Sequence, residues 1–360
     1  MTHHELFLTD AQLAAEIQRC VYCEEKPCMK ACPADCSPAD FIMAASGDTS
    51  ADIARSAALI MTLNPLGGVC GVVCPDSFCQ AACSRRLFDR AIEIPFVQAA
   101  IVARAKRLGV MPRLEPTAAN GKKVAVVGSG AAGLAGGALL AQLGYAVDIL
   151  ERDARPGGAI RLIPPDRLDP AVLDTDIAWV LQHPRITLRA RQRVDDPAAL
   201  LERGYAAVLL AAGLHAPIAL GIEGETLAVY CLAYLADPAR HAVRGRIAVI
   251  GGGAIACDCA ATVLEHGATA VEMIALETAG EMPLTPKERQ ILLEPPVNLV
   301  GRTRVTAILA EAGAVCGVRV QRVALPAGQP FHPSKVVPEL GTEQTLGGIT
   351  QVIIAVGNRP

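Results

Sequence analysis

Two cysteine runs carry the first chemistry in the sequence. In "RCVYCEEKPCMKACP", residues 19–33, Cys20, Cys23, Cys28 and Cys32 stand at C-x2-C-x4-C-x3-C-P. In "VCGVVCPDSFCQAAC", Cys70, Cys74, Cys79 and Cys83 stand at C-x3-C-x4-C-x3-C. Nine of the thirteen cysteines fall between Cys20 and Cys83, and such clustering in a reducing compartment favours metal or iron–sulfur ligation over disulfides. Four thiolates would suit zinc. Iron–sulfur runs take a ligand from a distant run and carry a proline after a ligand, as after Cys32 and Cys74, so clusters are the stronger expectation.

The second chemistry lies in two glycine loops. In "VVGSGAAGL", Gly128, Gly130 and Gly133 satisfy G-x-G-x-x-G between a strand and a helix opened by Ala131. The first glycine permits the tight turn, the second admits a pyrophosphate to the backbone, and the third lets helix and strand approach. Amides at the helix N-terminus then face the phosphates. Glu151 ends the next strand, where a carboxylate accepts hydrogen bonds from ribose hydroxyls. The unit returns in "VIGGGAIACD" with Gly251, Gly253 and Ala254, and Ala256 as the third small residue. Glu277 follows its second strand, and a carboxylate there repels a 2′-phosphate, so NADH is expected over NADPH. Cys257 and Cys259, at i and i+2 of a helix, fall on different faces and are expected to pack rather than form a redox pair. No C-x-x-C or C-x4-C pair stands beside the first loop, so electrons leaving a flavin there must go elsewhere.

Elements that would position these groups follow from composition and periodicity. Residues 1–112 have helical patterning and cysteine-bearing loops with almost no β-branched runs, and within "MPRLEPTAANG" (111–121) residues 113–121 are the linker candidate. The expected layout is α/β: an N-terminal helical two-cluster domain, then two Rossmann-like domains of the disulfide-reductase type. Residues 122–242 form the first part of the flavin domain and 243–348 the NAD(H) domain. Residues 349–360 begin a segment returning to the flavin domain, because "YAAVLLAAGLHAP" and "TQVIIAVGNRP" are similar strands that break at Gly213 and Gly357. Apolar residues make up 52% of the chain but aromatics only 3%, so the cores must be aliphatic, as in helices packed on parallel sheets. A net charge of −3 supplies no basic field for nucleic acid. No run of about 18 apolar residues or apolar leader is present, so a cytoplasmic protein without membrane spans is expected.

The runs above, with "AIEIPFVQ", "PGGAIR" and "GGGAIACDCA", resemble in order and interval the N-terminal half of the dihydropyrimidine dehydrogenase family, above all its bacterial NAD-dependent flavin/iron–sulfur subunits. Small subunits of glutamate synthase are similar at greater distance. The resemblance implies two [4Fe–4S] clusters that share the runs crosswise: Cys20, Cys23, Cys28 and Cys83 for one, and Cys32, Cys74, Cys79 and the side-chain oxygen of Gln98 for the other. Cys70 then matches a non-ligand position and Cys36 is additional. It also implies FAD at the first loop, with Gly158 and Arg161 of "PGGAIR", Ala212 and Gly213 of the "A-T-G"-like strand, and Gly357 as contacts, and NADH at the second. The resemblance further implies that hydride passes from NADH to flavin and that electrons pass through the clusters to an FMN-containing, iron–sulfur partner subunit that reduces uracil and thymine.

Two departures accompany the resemblance. "PGGAIRLIPPDRLDP" lacks a glycine that family members carry after P-G-G, and relatives continue beyond the "VIIAVGNRP" strand with a G-D motif that holds flavin, whereas this sequence stops at Pro360. The sequence is then either a fragment of a longer reading frame or a protein with a compromised FAD site. Two other functions compete: a glutamate-synthase-like NAD(P)H electron-input subunit for another reductase, and a non-catalytic cluster-bearing scaffold.

Overall fold

Thr9 and Gln12 close the first helix with a capping box, the Thr9 hydroxyl accepting from the Gln12 N–H while the Gln12 side chain accepts from the Thr9 N–H. The structure, a computed structural model, describes residues 7–114, 117–241, 243–293 and 296–360. Of the expected linker, residues 115 and 116 lie outside the described residues, as does 242 at an expected domain boundary. The chain divides into two units, Met1–Gly213 and Leu214–Pro360.

The first unit opens with six helices: α1 (Asp10–Arg19), α2 (Pro27–Lys30), α3 (Pro38–Ala44), α4 (Ser50–Met61), α5 (Gly67–Val73) and α6 (Ile94–Arg107). It continues with β1 (Lys123–Val127), α7 (Ala131–Gln142), β2 (Ala146–Leu150), α8 (Pro170–Leu181), β3 (Ile186–Arg189), α9 (Ala199–Glu202) and β4 (Ala207–Leu210). The strands form a parallel sheet in the order β3-β2-β1-β4. One aliphatic core joins Phe41, Ile60, Val97 and Ile101 of the helices to Val126, Leu134 and Ile149 of the sheet layer. The helical part and the first nucleotide fold therefore share a single interior. Each fully buried Leu, Ile or Phe in it contributes about 1.5–3 kcal/mol relative to exposure.

The second unit contains β5 (Ala216–Pro217), β6 (Val229–Tyr230), α10 (Cys231–Ala236), β7 (Gly245–Ile250), α11 (Ala254–Glu265), β8 (Ala268–Ile274), α12 (Pro286–Leu293) and β9 (Val297–Val300). β10 (Thr303–Glu311), β11 (Ala314–Ala324), β12 (Val337–Pro338), β13 (Gln344–Gly347), β14 (Ile349–Ile354) and β15 (Asn358–Arg359) follow. Its parallel sheet runs β6-β14-β7-β8-β9, with a core of Val249, Cys257, Cys259 and Val263 on the helix side. On the other face, Ala248, Ile250 and Val352 pack against Ile308, Val318 and Val320 of an antiparallel layer built on β10, β11 and β13. Both Cys257 and Cys259 are fully buried, as packing residues should be.

The closing strand corrects the sequence reading. β14 pairs β7 and β6 in the second sheet instead of returning to the first, and residues 214–241 belong to the second unit. The physical reason is that the second half of β14 is buried on both faces, where Val352, Ile353 and Ile354 complete both apolar layers. Gly357 lies in this unit too, its carbonyl accepting from the Ile218 N–H, and the adjoining Asn358–Arg359 pairs with Ala216–Pro217.

Candidate functional site

Cys20, Cys23 and Cys28 come from the segment around α2, and Cys83 closes the second run; all four line one cavity, together with Val21, Lys26, Ile42, Arg85 and Ile92. Cys28 and Cys83, 55 positions apart in the sequence, are thus brought to one place by the fold. Burial, then the neighbouring thiols, raises the titration of Cys20 and Cys28: Cys83 and Cys23 act on Cys20, and Cys20 and Cys83 on Cys28. Thiolates crowded in this way repel one another until a cation neutralises them, and metal binding displaces their protons. Among the described residues no three His, Cys, Asp or Glu side chains converge tightly enough for one metal ion. Four thiols lining one cavity supply the thiolate set that an iron–sulfur cluster takes.

The second thiol group is Cys32, Cys74 and Cys79. Burial, then Cys70 and Cys32, pushes Cys74 up to about 11, and burial, then Cys74, Cys32 and Cys28, pushes Cys79 up to about 12. Cys32 runs the other way, to about 6, because the Cys36 thiol donates to it and outweighs burial. Cys36 itself is buried, with its sulfur 3.8 Å from the Ile60 carbonyl, and Cys70 lies 3.6 Å from Asn64 Oδ1. Both are bonded as structural residues.

Gln98 is placed by close packing of α5 on α6. A side chain at Gly71 would come within 2.5 Å of the Ala99 amide nitrogen, so only glycine allows the approach. The buried Gln98 amide donates from Nε2 to the Gly67 carbonyl at 2.8 Å. That bond fixes which way the amide points and leaves Oε1, the atom a metal would use, with no hydrogen-bond donor among the described residues. The donor set therefore fits iron–sulfur clusters at both groups.

At the first glycine loop, Gly128 follows β1 with φ +101°, and a side chain there would collide with the Ala211 carbonyl beyond β4. Gly133 is pressed against the Gly128 carbonyl, while nothing lies within 4 Å above Gly130, which starts α7 without a side-chain cap. An open space over uncapped helix amides fits a pyrophosphate. Gly158 of the P-G-G segment closes one side, a side chain there lying 3.0 Å from Gly130 Cα, and Ala212 and Gly213 lie beyond the strand that backs Gly128. Glu151 is buried and already bonded: Ser129 donates to it from both backbone, at 2.9 Å, and hydroxyl, and the Asp153 N–H donates at 2.8 Å. Burial raises its titration, but these donors outweigh that and hold the carboxyl below the usual range. Arg161, expected against the cofactor, instead donates to the Pro156 carbonyl and pairs with Asp174 at 2.8 Å. Ser129 and Asp174 escaped the sequence reading; Ser129 was legible as the hydroxyl inside G-S-G.

The second loop repeats the backbone. Gly251 has φ +140° against the Ala355 carbonyl, and Gly253 opens uncapped α11 with nothing within 4 Å above it. Ala256 is accommodated where the first loop requires glycine. Glu277 comes to the loop from beyond β8: a side chain on Gly252 would stand 2.7 Å from its Oε2, and its carboxylate accepts no hydrogen bond among the described residues. No helix among the described residues is long and apolar enough to cross a membrane.

The chain was compared with known proteins. Residues 1–110 match the family model described as dihydropyrimidine dehydrogenase domain II, 4Fe-4S cluster, and residues 122–360 the pyridine nucleotide-disulphide oxidoreductase model. The NAD-dependent dihydropyrimidine dehydrogenase subunit PreT of Escherichia coli is 33% identical over 295 residues, 79% of this chain and 70% of that protein. The glutamate synthase [NADPH] small chain of Halomonas elongata is 28% identical, over 96% of this chain and 76% of that one. Among solved structures, 6-hydroxypseudooxynicotine amine oxidase from Pseudomonas geniculata N1 aligns with TM-score 0.55 and 17% identity over 92% of this chain and 44% of that one, a likeness of fold.

Proposed function

The chain belongs to the pyridine nucleotide-disulphide oxidoreductase family and, within it, to the NAD-dependent dihydropyrimidine dehydrogenase subunits, and on that premise we propose that it is the electron-input subunit of a two-component pyrimidine reductase. It is a flavin- and iron–sulfur-dependent oxidoreductase that uses a nicotinamide cofactor and works with a partner subunit. The groups it binds convert a two-electron hydride equivalent into one-electron traffic. The observation that carries the reading is the convergence of Cys20, Cys23, Cys28 and Cys83 on one cavity, which Cys32, Cys74 and Cys79 do not line; these three act electrostatically on one another, and Gln98 is fixed on α6 by the Gly67 carbonyl of α5.

In this reading the two thiol groups hold two [4Fe–4S] clusters, with the Gln98 oxygen as the eighth ligand. Loop amides beyond Gly130 bind the flavin pyrophosphate, and Glu151 orders that loop while keeping a carboxylate at the ribose. Those beyond Gly253 bind the nicotinamide dinucleotide. The unbonded Glu277 carboxylate accepts ribose hydroxyls and repels a 2′-phosphate, which favours NADH. Ala212, Gly213 and Gly357 are backbone positions that shape the rims. The partner carries FMN and its own clusters and reduces uracil or thymine; the work is done in the cytoplasm.

Anaerobic purification with the partner should give about eight iron per chain, FAD, and NADH-dependent uracil reduction. Recovery of a glutamine-hydrolysing partner with no FMN subunit would replace this reading by the glutamate-synthase-like one. Iron and sulfide without FAD, and no bleaching of added FAD by NADH, would leave a cluster-bearing scaffold.

A further inference from the structure

Helix α8 carries two acidic residues that grip opposite neighbours. Asp174 and Asp176 are two positions apart and so project from different faces. Asp174 holds Arg161 at 2.8 Å and Arg155 at 3.1 Å, fixing the segment whose Gly158 closes on Gly130. Ile177 of the same helix stands 3.3 Å from where a side chain on Gly157 would lie. Asp176, fully buried, faces the cysteine-bearing helices instead. Its Oδ2 accepts the Val69 N–H of α5 at 2.9 Å, and its Oδ1 pairs with Lys106 of α6 at 2.5 Å. A side chain at Gly68 would lie 2.8 Å from that carboxylate, so glycine is needed for α5 to reach it. α5 carries Cys70 and leads into Cys74, and its Gly67 carbonyl anchors Gln98 of α6.

We propose that α8 is the strut fixing the second thiol group relative to the first glycine loop, and that Asp176 is its positioning residue. One buried carboxylate accepts from the N-terminus of α5 and pairs with Lys106 of α6, so α5, which leads into Cys74, and α6, which carries Gln98, are both tied to the nucleotide fold at this side chain. A buried carboxylate needs both donors, because loss of either leaves an uncompensated charge or an unmet amide. The inference rests on the electron-input reading and concerns how the path between flavin and cluster is held to a fixed length.

The test uses the full chain purified anaerobically, as wild type, Asp176→Ala, Asp176→Asn, Lys106→Met and the Lys106→Met/Asp176→Asn double variant. Electron paramagnetic resonance after reduction, iron content and stopped-flow reduction by NADH are read on each. Asp176→Ala should shift or lose one cluster signal, keep the other, and slow cluster reduction about tenfold or more while flavin bleaching keeps its rate. Asp176→Asn should move the same signal less. Lys106→Met, which strands the carboxylate, should do more damage than the double variant, which removes both charges. If Asp176→Ala does not fold, Asp176→Asn decides by the same readings. Wild-type spectra and rates in the Asp176 variants, or equal loss of both signals, would overturn the proposal. Absence of iron and sulfide from the wild type would instead overturn the electron-input reading on which it stands.

Discussion

Behind Gly128 stands β4, the last strand of its sheet, with Leu210 63% exposed; behind Gly251 stands β14, flanked by β7 and β6, with Ile353 fully buried. The two loops nonetheless present the same backbone, each with its first glycine against a strand-end carbonyl and open space above its second. Their acids differ. Gly128 N–H bonds to Leu150, so Glu151 is the next residue of the chain, and Gly251 N–H bonds to Ile274, which makes Ala275 the positional match of Glu151 and sets Glu277 two residues further on. Glu151 orders its own loop with both oxygens, whereas the Glu277 carboxylate accepts no hydrogen bond among the described residues. The G-x-G motif therefore goes with one backbone in both loops, and the acid's place in the register goes with whether its oxygens are bonded to the loop.

The largest test of this contrast is a charge placed in each backing strand. Ile353→Asp should cost at least about 4 kcal/mol and unfold the second unit in a urea titration, while Leu210→Asp should stay within about 0.5 kcal/mol. Next come the third positions. Gly133→Ala forces a methyl into the Gly128 carbonyl and should cost about 2–3 kcal/mol with loss of bound flavin, whereas Ala256→Gly should cost only about 1 kcal/mol, by calorimetry and flavin content. Equal costs would show that the loops are packed alike.

The acids give smaller effects. Glu151→Gln removes a charged acceptor from three donors and should cost about 1–2 kcal/mol. Glu277→Gln should leave the melting temperature unchanged but narrow the preference for NADH over NADPH about tenfold, 1.4 kcal/mol, by titration of each dinucleotide. A pH series separates them further. Because the Glu151 carboxyl titrates below its ordinary 4.5 in the folded chain, its contribution is complete above that pH and is lost as the pH falls through the lower folded value. The acid limb of the stability curve should therefore be shallower in Glu151→Gln than in the wild type; an unchanged limb would remove Glu151 from the account.

Much of this was legible in the residues. Glycine spacing marked both loops because sterics leave few alternatives there, and Gln98 was reachable by resemblance. The place of β14 was not, since "VIIAVG" and "VLLAAG" carry the same local pattern and only burial on both faces tells an internal strand from an edge. The β10–β11 hairpin went unread although Ala312 and Gly313, at φ +48° and +81°, form a two-residue turn between alternating strands. Asp176 could not be found at all: its partners Val69 and Lys106 are 107 and 70 positions away, and an isolated aspartate in a helix looks like surface.

The proposed electron path needs NADH at the second loop and, at the first, the flavin that leads to the clusters. Gly251→Ala, purified anaerobically, tests it most directly by whether NADH and dithionite bleach the flavin and reduce the clusters. The account predicts a protein that keeps its FAD and both cluster signals and is reduced by dithionite but no longer by NADH. Loss of FAD, or reduction by NADH at the wild-type rate, would contradict it.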